Sequence, residues 1–471
     1  MSIAAPLIHI HEIAAFERMM PFVRPFRFGA VTVTSAPQAF LRVDVEVAGH
    51  GRSRGVAAEM MMPKWFDKNP SKSPAETVAD LRASILRAAG AYAGPAGADT
   101  AFGHHCSIMA GQSDWAESRD LPGLTANFGP ALVDKAILDA LFKALGVGIA
   151  EGIRRNAAGL DARLAADLDD AEIADFLLNI QPAQNIAIRH TVGLLDDLDG
   201  PDGLAEDIQR ATLRYFKVKI GGDVAADLDR LRSVTALLAV EAPDFRATLD
   251  ANEQYNAARF ADLLEGLTDS ALRPLRQALF YIEQPFDRRT TFDAPLAAEF
   301  LAHPLIIDEA DGDYGAFPRA ASLGYRGVSS KSCKGVYKSL LNAARARAWN
   351  HREGLERWYF LAGEDLTCQA GLGVQQDTAL AAVLGIAHAE RNGHHYVDGF
   401  GPAPAEEAEA FAAAHPTVYD RSGGRLRLDI SSGTLPTASL LSTPGFASGA
   451  EPEWASLTRL DPETAFEETL P

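Results

Sequence analysis

Three cysteines in 471 residues, Cys106, Cys333 and Cys368, are too few for a disulfide framework, so the fold must rest on its core. No run of 18 or more uncharged apolar residues occurs, which excludes a membrane-spanning helix. The opening MSIAAPLIHIHEIAAFERMM has no basic segment followed by a long apolar run, so no signal peptide is evident. Positive charge is scarce: 44 Lys and Arg stand against 63 Asp and Glu, a net of −19. Such a surface repels phosphate backbones and anionic lipid, and neither nucleic acid nor a membrane is expected as a partner. A GxGxxG series is missing too. KIGGD at 219–223 has only two adjacent glycines, so there is no dinucleotide fingerprint. What is present is ordinary globular usage, 47% hydrophobic and 23% charged. A reduced, cytoplasmic protein is expected, and at roughly 100–200 residues per domain the length allows two to four domains.

The first part of the chain reads as mixed α and β. Residues 27–35 and 40–47 alternate apolar and polar side chains, as half-buried antiparallel strands do. Helical periodicity follows at 75–94 and again at 131–146, where Val133, Ile137, Leu138, Leu141 and Leu145 share a face. Turn-rich stretches lie at 94–99 and 199–203, and the Asp- and Ala-rich stretch 160–175 reads as a surface helical insertion. From about residue 185 short apolar runs recur: NIAIRHTVG, YFKVKIGG, FRATLDAN, LFYIEQP, PLIIDEA, GVSSKSC, WYFLAGED and HYVDGF. Amphipathic helical stretches separate them. Asp250 to Glu283 is 33 residues, Glu283 to Asp308 is 25, and Asp308 to Lys331 is 23, each the length of one strand-plus-helix unit. Eight such units predict a parallel (β/α) barrel over 180–400, after an α+β domain over 1–150. The tail, 401–471, is too short for an independent core and is expected to pack back on the first domain or cover the barrel's bottom.

A barrel's active site lies at the C-terminal ends of its strands. Five successive predicted strands end in Lys217 and Lys219, Asp250, Glu283, Asp308 with Glu309, and Lys331. Each alone reads as a helix cap or a solvated edge; the order KxK, DAN, EQP, DE, K on consecutive strands is the signal. Converging carboxylates repel one another unless a cation sits between them, and oxygen-only ligation favours Mg²⁺ or Mn²⁺ over zinc. Lys217 and Lys219 point the same way on a strand, so each disfavours protonation of the other and lowers a pKa toward the range of a base.

With these residues the chain resembles the enolase superfamily, and within it the muconate-lactonizing and mandelate-racemase-like enzymes. The match lies in Lys217-Val218-Lys219, Asp250-Ala251-Asn252, Glu283-Gln284-Pro285, Asp308-Glu309 and Ser330-Lys331-Ser332-Cys333-Lys334-Gly335. The resemblance implies a modified (β/α)7β barrel under an α+β capping domain completed by the C-terminal tail. It implies Asp250, Glu283 and Asp308 as Mg²⁺ ligands, with Lys219 and Lys331 as bases on opposite faces of the substrate. Lys217 would lower the pKa of Lys219 and meet the substrate carboxylate. Asn252, Glu309, Trp65 and Glu364 are substrate-binding candidates, Trp65 through a lid loop at 56–73. The implied chemistry is abstraction of the α-proton of a small carboxylate substrate through an enediolate, as a racemase or epimerase with two opposed lysines. A dehydratase or cycloisomerase outcome uses the same intermediate. Two further readings are a Schiff-base aldolase and a non-catalytic metal-binding barrel. The resemblance also implies a homo-oligomer.

Some features depart from the pattern or stand outside it. Ala310 follows the acidic pair where many relatives have Ser or Thr, and Gly335-Val336 replaces a double glycine. The seventh predicted strand ends in Glu364-Asp365 without the histidine of the mandelate-racemase branch. His104 and His105 are expected to be structural, His388 to be a core histidine on a helical face, and His394 and His395 to be loop residues just before the eighth strand. Cys333 has no partnered histidine in view and is not expected to be a nucleophile.

Overall fold

The computed structural model describes residues 5–29, 31–94 and 97–461. Ala30 of the predicted strand 27–35, part of the 94–99 turn and the tail end 462–471 lie outside the described residues. Two long strands, β1 (Ile8–Phe28) and β2 (Val31–Val47), form a hairpin paired from Ile8↔Val47 to Phe28↔Val31, with an irregularity between Pro21 and Phe26. The stretch 27–35, expected as one strand, is the tip of that hairpin. Its alternation continues through the turn, where Gly29 takes a left-handed φ of 52°. A third strand, β3 (Gly51–Met60), completes the sheet against β2.

Three helices cover it: α1 (Pro74–Tyr92), α2 (Ala101–Glu117) and α3 (Gly123–Leu145). The first begins at a capping box, in which the Ser73 hydroxyl accepts the Glu76 amide and the Glu76 carboxylate accepts the Ser73 amide. The helix expected at 131–146 starts eight residues earlier, at Gly123, and is almost wholly buried between sheet and barrel. It crosses β3 where a Cβ added to Gly55 would lie 1.9 Å from the Ala136 carbonyl oxygen and 2.5 Å from the Ala140 nitrogen. Backbone cannot yield cheaply there, so Gly55→Ala is expected to cost at least ~1–3 kcal/mol, read as a lower urea midpoint.

Residues 185–390 close into an eight-stranded parallel barrel: β4 (Asn185–Val192), β5 (Tyr215–Lys219), β6 (Arg246–Asp250), β7 (Leu279–Glu283), β8 (Leu305–Ile307), β9 (Gly327–Ser330), β10 (Phe360–Gly363) and β11 (His388–Glu390). Closure comes from β11 beside β4, in register His388↔Ala187. Helices join consecutive strands except between β7 and β8, where a 3₁₀ turn, Ala298–Ala302, takes the helix's place. The stretch 160–175 is in part the helix Asp170–Leu178, which buries Ile173, Phe176 and Leu177 rather than standing free on the surface. The tail adds Thr434–Pro436 antiparallel to the start of β4, and Thr458–Arg459 beside Phe16 and Glu17 of β1. Among the described residues no helix is long and apolar enough to cross a membrane.

The eighth strand is a correction. HYVDGF forms no strand; His394 and His395 sit on a short helix, Gly393–Tyr396, that follows β11 instead of preceding it. The helix Leu372–Val383 stops short of His388, which was expected on a helical face, and Gly385 turns the chain with φ 73°. His388 is therefore a strand residue. Its ring packs against both Tyr215 and Phe280, with centroids 5.0 and 5.1 Å away, and its Nδ1 lies 2.9 Å from Arg189 Nη1. Burial, then Arg189 and Arg357, lower its pKa to about 3. The unfolded chain takes up that proton near pH ~6.5, whereas the folded chain refuses it until about pH 3. Acidification between those values favours unfolding. His388→Gln is expected to flatten the fall of unfolding free energy with decreasing pH across that window.

Candidate functional site

The register of the barrel sets the site. Lys219, Asp250 and Glu283 are mutual neighbours across β5, β6 and β7, and Asp308, Lys331 and Glu364 are the first residues beyond β8, β9 and β10. All six side chains are buried. The structure thus brings together the carboxylates and lysines expected at the strand ends, with Glu309 turned to the loop above.

Lys217 lies at the centre. Its ammonium is 2.9 Å from Asp250 Oδ2, 2.9 Å from Glu283 Oε2, 2.7 Å from Glu364 Oε2 and 3.1 Å from Glu390 Oε2. Burial opposes this charge, but the four carboxylates reverse the balance and hold its pKa well above the ordinary value. The mutual lowering expected for Lys217 and Lys219 is not what happens at Lys217, because carboxylates outnumber ammoniums around it. Lys219 shares Asp250 Oδ2, at 2.6 Å, and donates to Asn252 Oδ1 at 3.0 Å. Lys331 pairs with Asp308 Oδ2 at 2.5 Å. Lys334, for which no role was expected, pairs with Asp308 Oδ1 at 2.9 Å and donates to the Asp308 carbonyl. Burial raises the Asp308 pKa, yet Lys331 and Lys334 pull it well below the usual carboxylate range. At Glu283 burial, Asp250 and Glu364 act together, and its carboxyl lies well above that range.

Gln284 explains why the strand-end loops hold their shape. Its own φ is 38°, and its Oε1 accepts the amides of Asp308 at 2.8 Å and Ala310 at 3.1 Å. Below the rim, Arg189 reaches the Gly363 carbonyl and Glu364, whose Oε1 also accepts from the Tyr281 hydroxyl. Glu364, expected to meet substrate, is held by Arg189, Tyr281 and Lys217 and does not line the cavity above them. Glu390, unmarked in the sequence reading, accepts from Thr191 at 2.6 Å and faces Lys217.

A small cavity of about 20 Å³ lies over these groups, lined by Lys217, Lys219, Asp250, Asn252, Asp308, Lys331 and Glu390 from the barrel. Phe26 and Phe28 of the β1–β2 hairpin and Met62 and Trp65 of the following loop roof it. Trp65 stands over Lys331, ring centroid 4.6 Å from Nζ, and Phe26 over Lys219 at 6.0 Å. The loop is pinned from below: Lys68 pairs with Glu253 at 2.6 Å and Glu309 at 3.1 Å, and Arg288 donates to the carbonyls of Trp65 and Phe66. Glu309 thus serves the lid and lines an outer cleft of about 980 Å³, which Phe28 separates from the inner cavity. The space inside admits an ion or a water, so a substrate must displace the hairpin or loop.

The donor chemistry suits a hard divalent cation. Asp250, Glu283 and Asp308 offer oxygen only, the buried Glu283 Oε2 has the Lys217 ammonium 2.9 Å away as its ion-pair partner and no well-directed hydrogen bond, and Lys217 Nζ marks a point where Asp250 and Glu283 already hold positive charge. Lys217, Lys219, Lys331 and Lys334 lie among these three acids. Among the described residues the one group of three potential ligands within 4.8 Å of one another is elsewhere, at His190, Asp207 and His395.

No protein-family model matches the chain, and no curated protein matches it in sequence. Solved structures do match in shape. A dipeptide epimerase from Enterococcus faecalis, complexed with Mg and L-Leu-L-Tyr, is 13% identical, with 93% of this chain and 99% of that one covered at a TM-score of 0.59. A muconate lactonizing enzyme from Pseudomonas fluorescens, complexed with muconolactone, is 19% identical over 97% and 98%, with a TM-score of 0.56. A member of the enolase superfamily from Roseovarius nubinhibens, complexed with magnesium, is 18% identical over 96% and 97%, with a TM-score of 0.55.

Proposed function

The barrel and its antiparallel cap have the fold of the enolase superfamily, and from that premise we propose that the chain is an enzyme removing the α-proton of a small carboxylate substrate, as a racemase or epimerase. The observation that carries this reading is that Lys219 and Lys331 line one small cavity with Asp250 and Asp308. Lys219 takes the proton from one face, and Lys331 returns one to the other. Asp250, Glu283 and Asp308 would hold Mg²⁺, or Mn²⁺ of the same hard class, which supplies electrostatic stabilisation for two neighbouring anionic oxygens. Lys217 is a fixed cation beneath the reacting atoms, and Asn252 orients Lys219 through its side-chain oxygen. Phe26 and Trp65 keep water from the two lysines, which strengthens every charge interaction beneath them.

The ligands of the structural neighbours, a dipeptide and muconolactone, support a substrate with a carboxylate and an apolar part. The test is a library of chiral carboxylates, N-acyl amino acids and dipeptides in D₂O with Mg²⁺. Deuterium at the α-carbon with loss of optical purity is the expected result. Deuterium with loss of a β-substituent assigns the elimination outcome instead. The proposal fails if no acid exchanges its α-proton, or if exchange is unaffected by EDTA.

A further inference from the structure

His190 interrupts the inward pattern of β4. Its neighbours Arg189 and Thr191 reach Glu364 and Glu390 inside the barrel, so His190 faces outward, under the helix Leu204–Ala211. There its Nε2 is 3.7 Å from Asp207 Oδ2, and His395 Nδ1 is 3.2 Å from the same oxygen. The first distance is too long for a hydrogen bond. Asp207 Oδ2 is buried and accepts none from any group. That oxygen is held by the charge of its neighbours and not by a well-directed hydrogen bond.

The spacing suits another occupant. With metal–ligand bonds of about 2.0–2.2 Å, the edge of a zinc tetrahedron is about 3.4 Å, and the two observed separations, 3.2 and 3.7 Å, bracket it. The outer partners that orient metal-bound histidines are also in place. His395 turns its Nε2 to Asp196 Oδ2 at 3.5 Å, and His190 turns its Nδ1 to His394 Nε2 at 3.3 Å. One resident cation competes. Arg24, in the irregular part of the cap hairpin, has Nη1 3.1 Å from His395 Nδ1 and 3.6 Å from Asp207 Oδ2.

We propose that His190, Asp207 and His395 form a binding site for a first-row transition-metal dication of the zinc class, separate from the carboxylates in the barrel mouth, with Arg24 as its internal competitor. Two nitrogens and one oxygen are the ligand type that zinc takes and magnesium declines. The site lies outside the barrel wall, so it does not depend on the catalytic reading. Because Arg24 precedes Phe26 on the hairpin that roofs the cavity, metal uptake and hairpin docking draw on the same groups.

The test is titration of the EDTA-stripped full chain with Co²⁺ under excess Mg²⁺, following the visible d–d bands. One equivalent is expected with the intense bands of four- or five-coordination, displaced by Zn²⁺ and retained in Asp250→Asn. Asp207→Asn and His190→Gln should each weaken binding at least ~10-fold, as metal sites do when supporting groups are lost, and Arg24→Ala should tighten it. Arg24→Ala keeps the test open if a ligand variant does not fold. The proposal is overturned if no such bands form, if Asp250→Asn removes them, or if Asp207→Asn and Arg24→Ala bind as the native chain does.

Discussion

Lys217→Met is expected to cost about 3–5 kcal/mol of folding free energy, the range for removing one partner of a buried ion pair. Methionine keeps the length and the packing of the stem, so the loss isolates the charge. Four buried carboxylates, all within 3.1 Å of the ammonium, would lose their shared cation. Chemical denaturation at neutral pH reads the loss as a lower midpoint without a change of slope. The deficit should shrink on acidification, because protonating the stranded carboxylates removes the repulsion. A variant within ~1 kcal/mol of the native chain at neutral pH, the worth of an exposed pair, would show that Lys217 is not the counterion of the barrel mouth.

Lys219→Ala and Lys331→Ala are each expected to lower turnover by about 10²–10⁴-fold, the usual share of a positioned acid or base. The discriminating readout is which enantiomer still exchanges. With opposed lysines, Lys219→Ala should abolish deuterium uptake from one enantiomer and Lys331→Ala from its mirror image, while the intact lysine still labels the other. Equal loss with both enantiomers in both variants would mean the lysines do not address opposite faces. Neither variant should unfold the chain, since each lysine contacts one carboxylate, and Lys217 and Lys334 continue to compensate Asp250 and Asp308.

The barrel was legible because its strands are short and each ends on a charged side chain at a regular interval. Seven of the eight predicted runs contain the observed strand. The eighth was hidden because His388-Ala-Glu390 extends an Ala- and Leu-rich run whose helical period masks three extended residues. Glu390 was lost with it, though Gly385 was the available stop signal. Lys217 and Lys219 were legible as a pair, but not the sign of the shift at Lys217, which depends on Glu364 and Glu390, 147 and 173 residues away. The lid at 56–73 was legible only through the family resemblance. What pins it was not: Lys68 and Arg288 meet Glu309 and Glu253 only through tertiary folding, and no local spacing announces such a contact.

The roof of Phe26, Phe28, Met62 and Trp65 also bears on what a labelled solvent can report. A chamber of about 20 Å³ leaves no room for bulk water to wash a lysine between turnovers. A proton lifted from substrate stays on its ammonium, among two hydrogens of older origin, until the roof lifts. The enzyme would then carry an isotopic memory. Substrate returned to its original face regains its own hydrogen in part, whereas product delivered from the opposite face carries hydrogen admitted at the previous opening. The ratio of label in product to label in recovered substrate thus measures how often the roof opens relative to the chemistry beneath it.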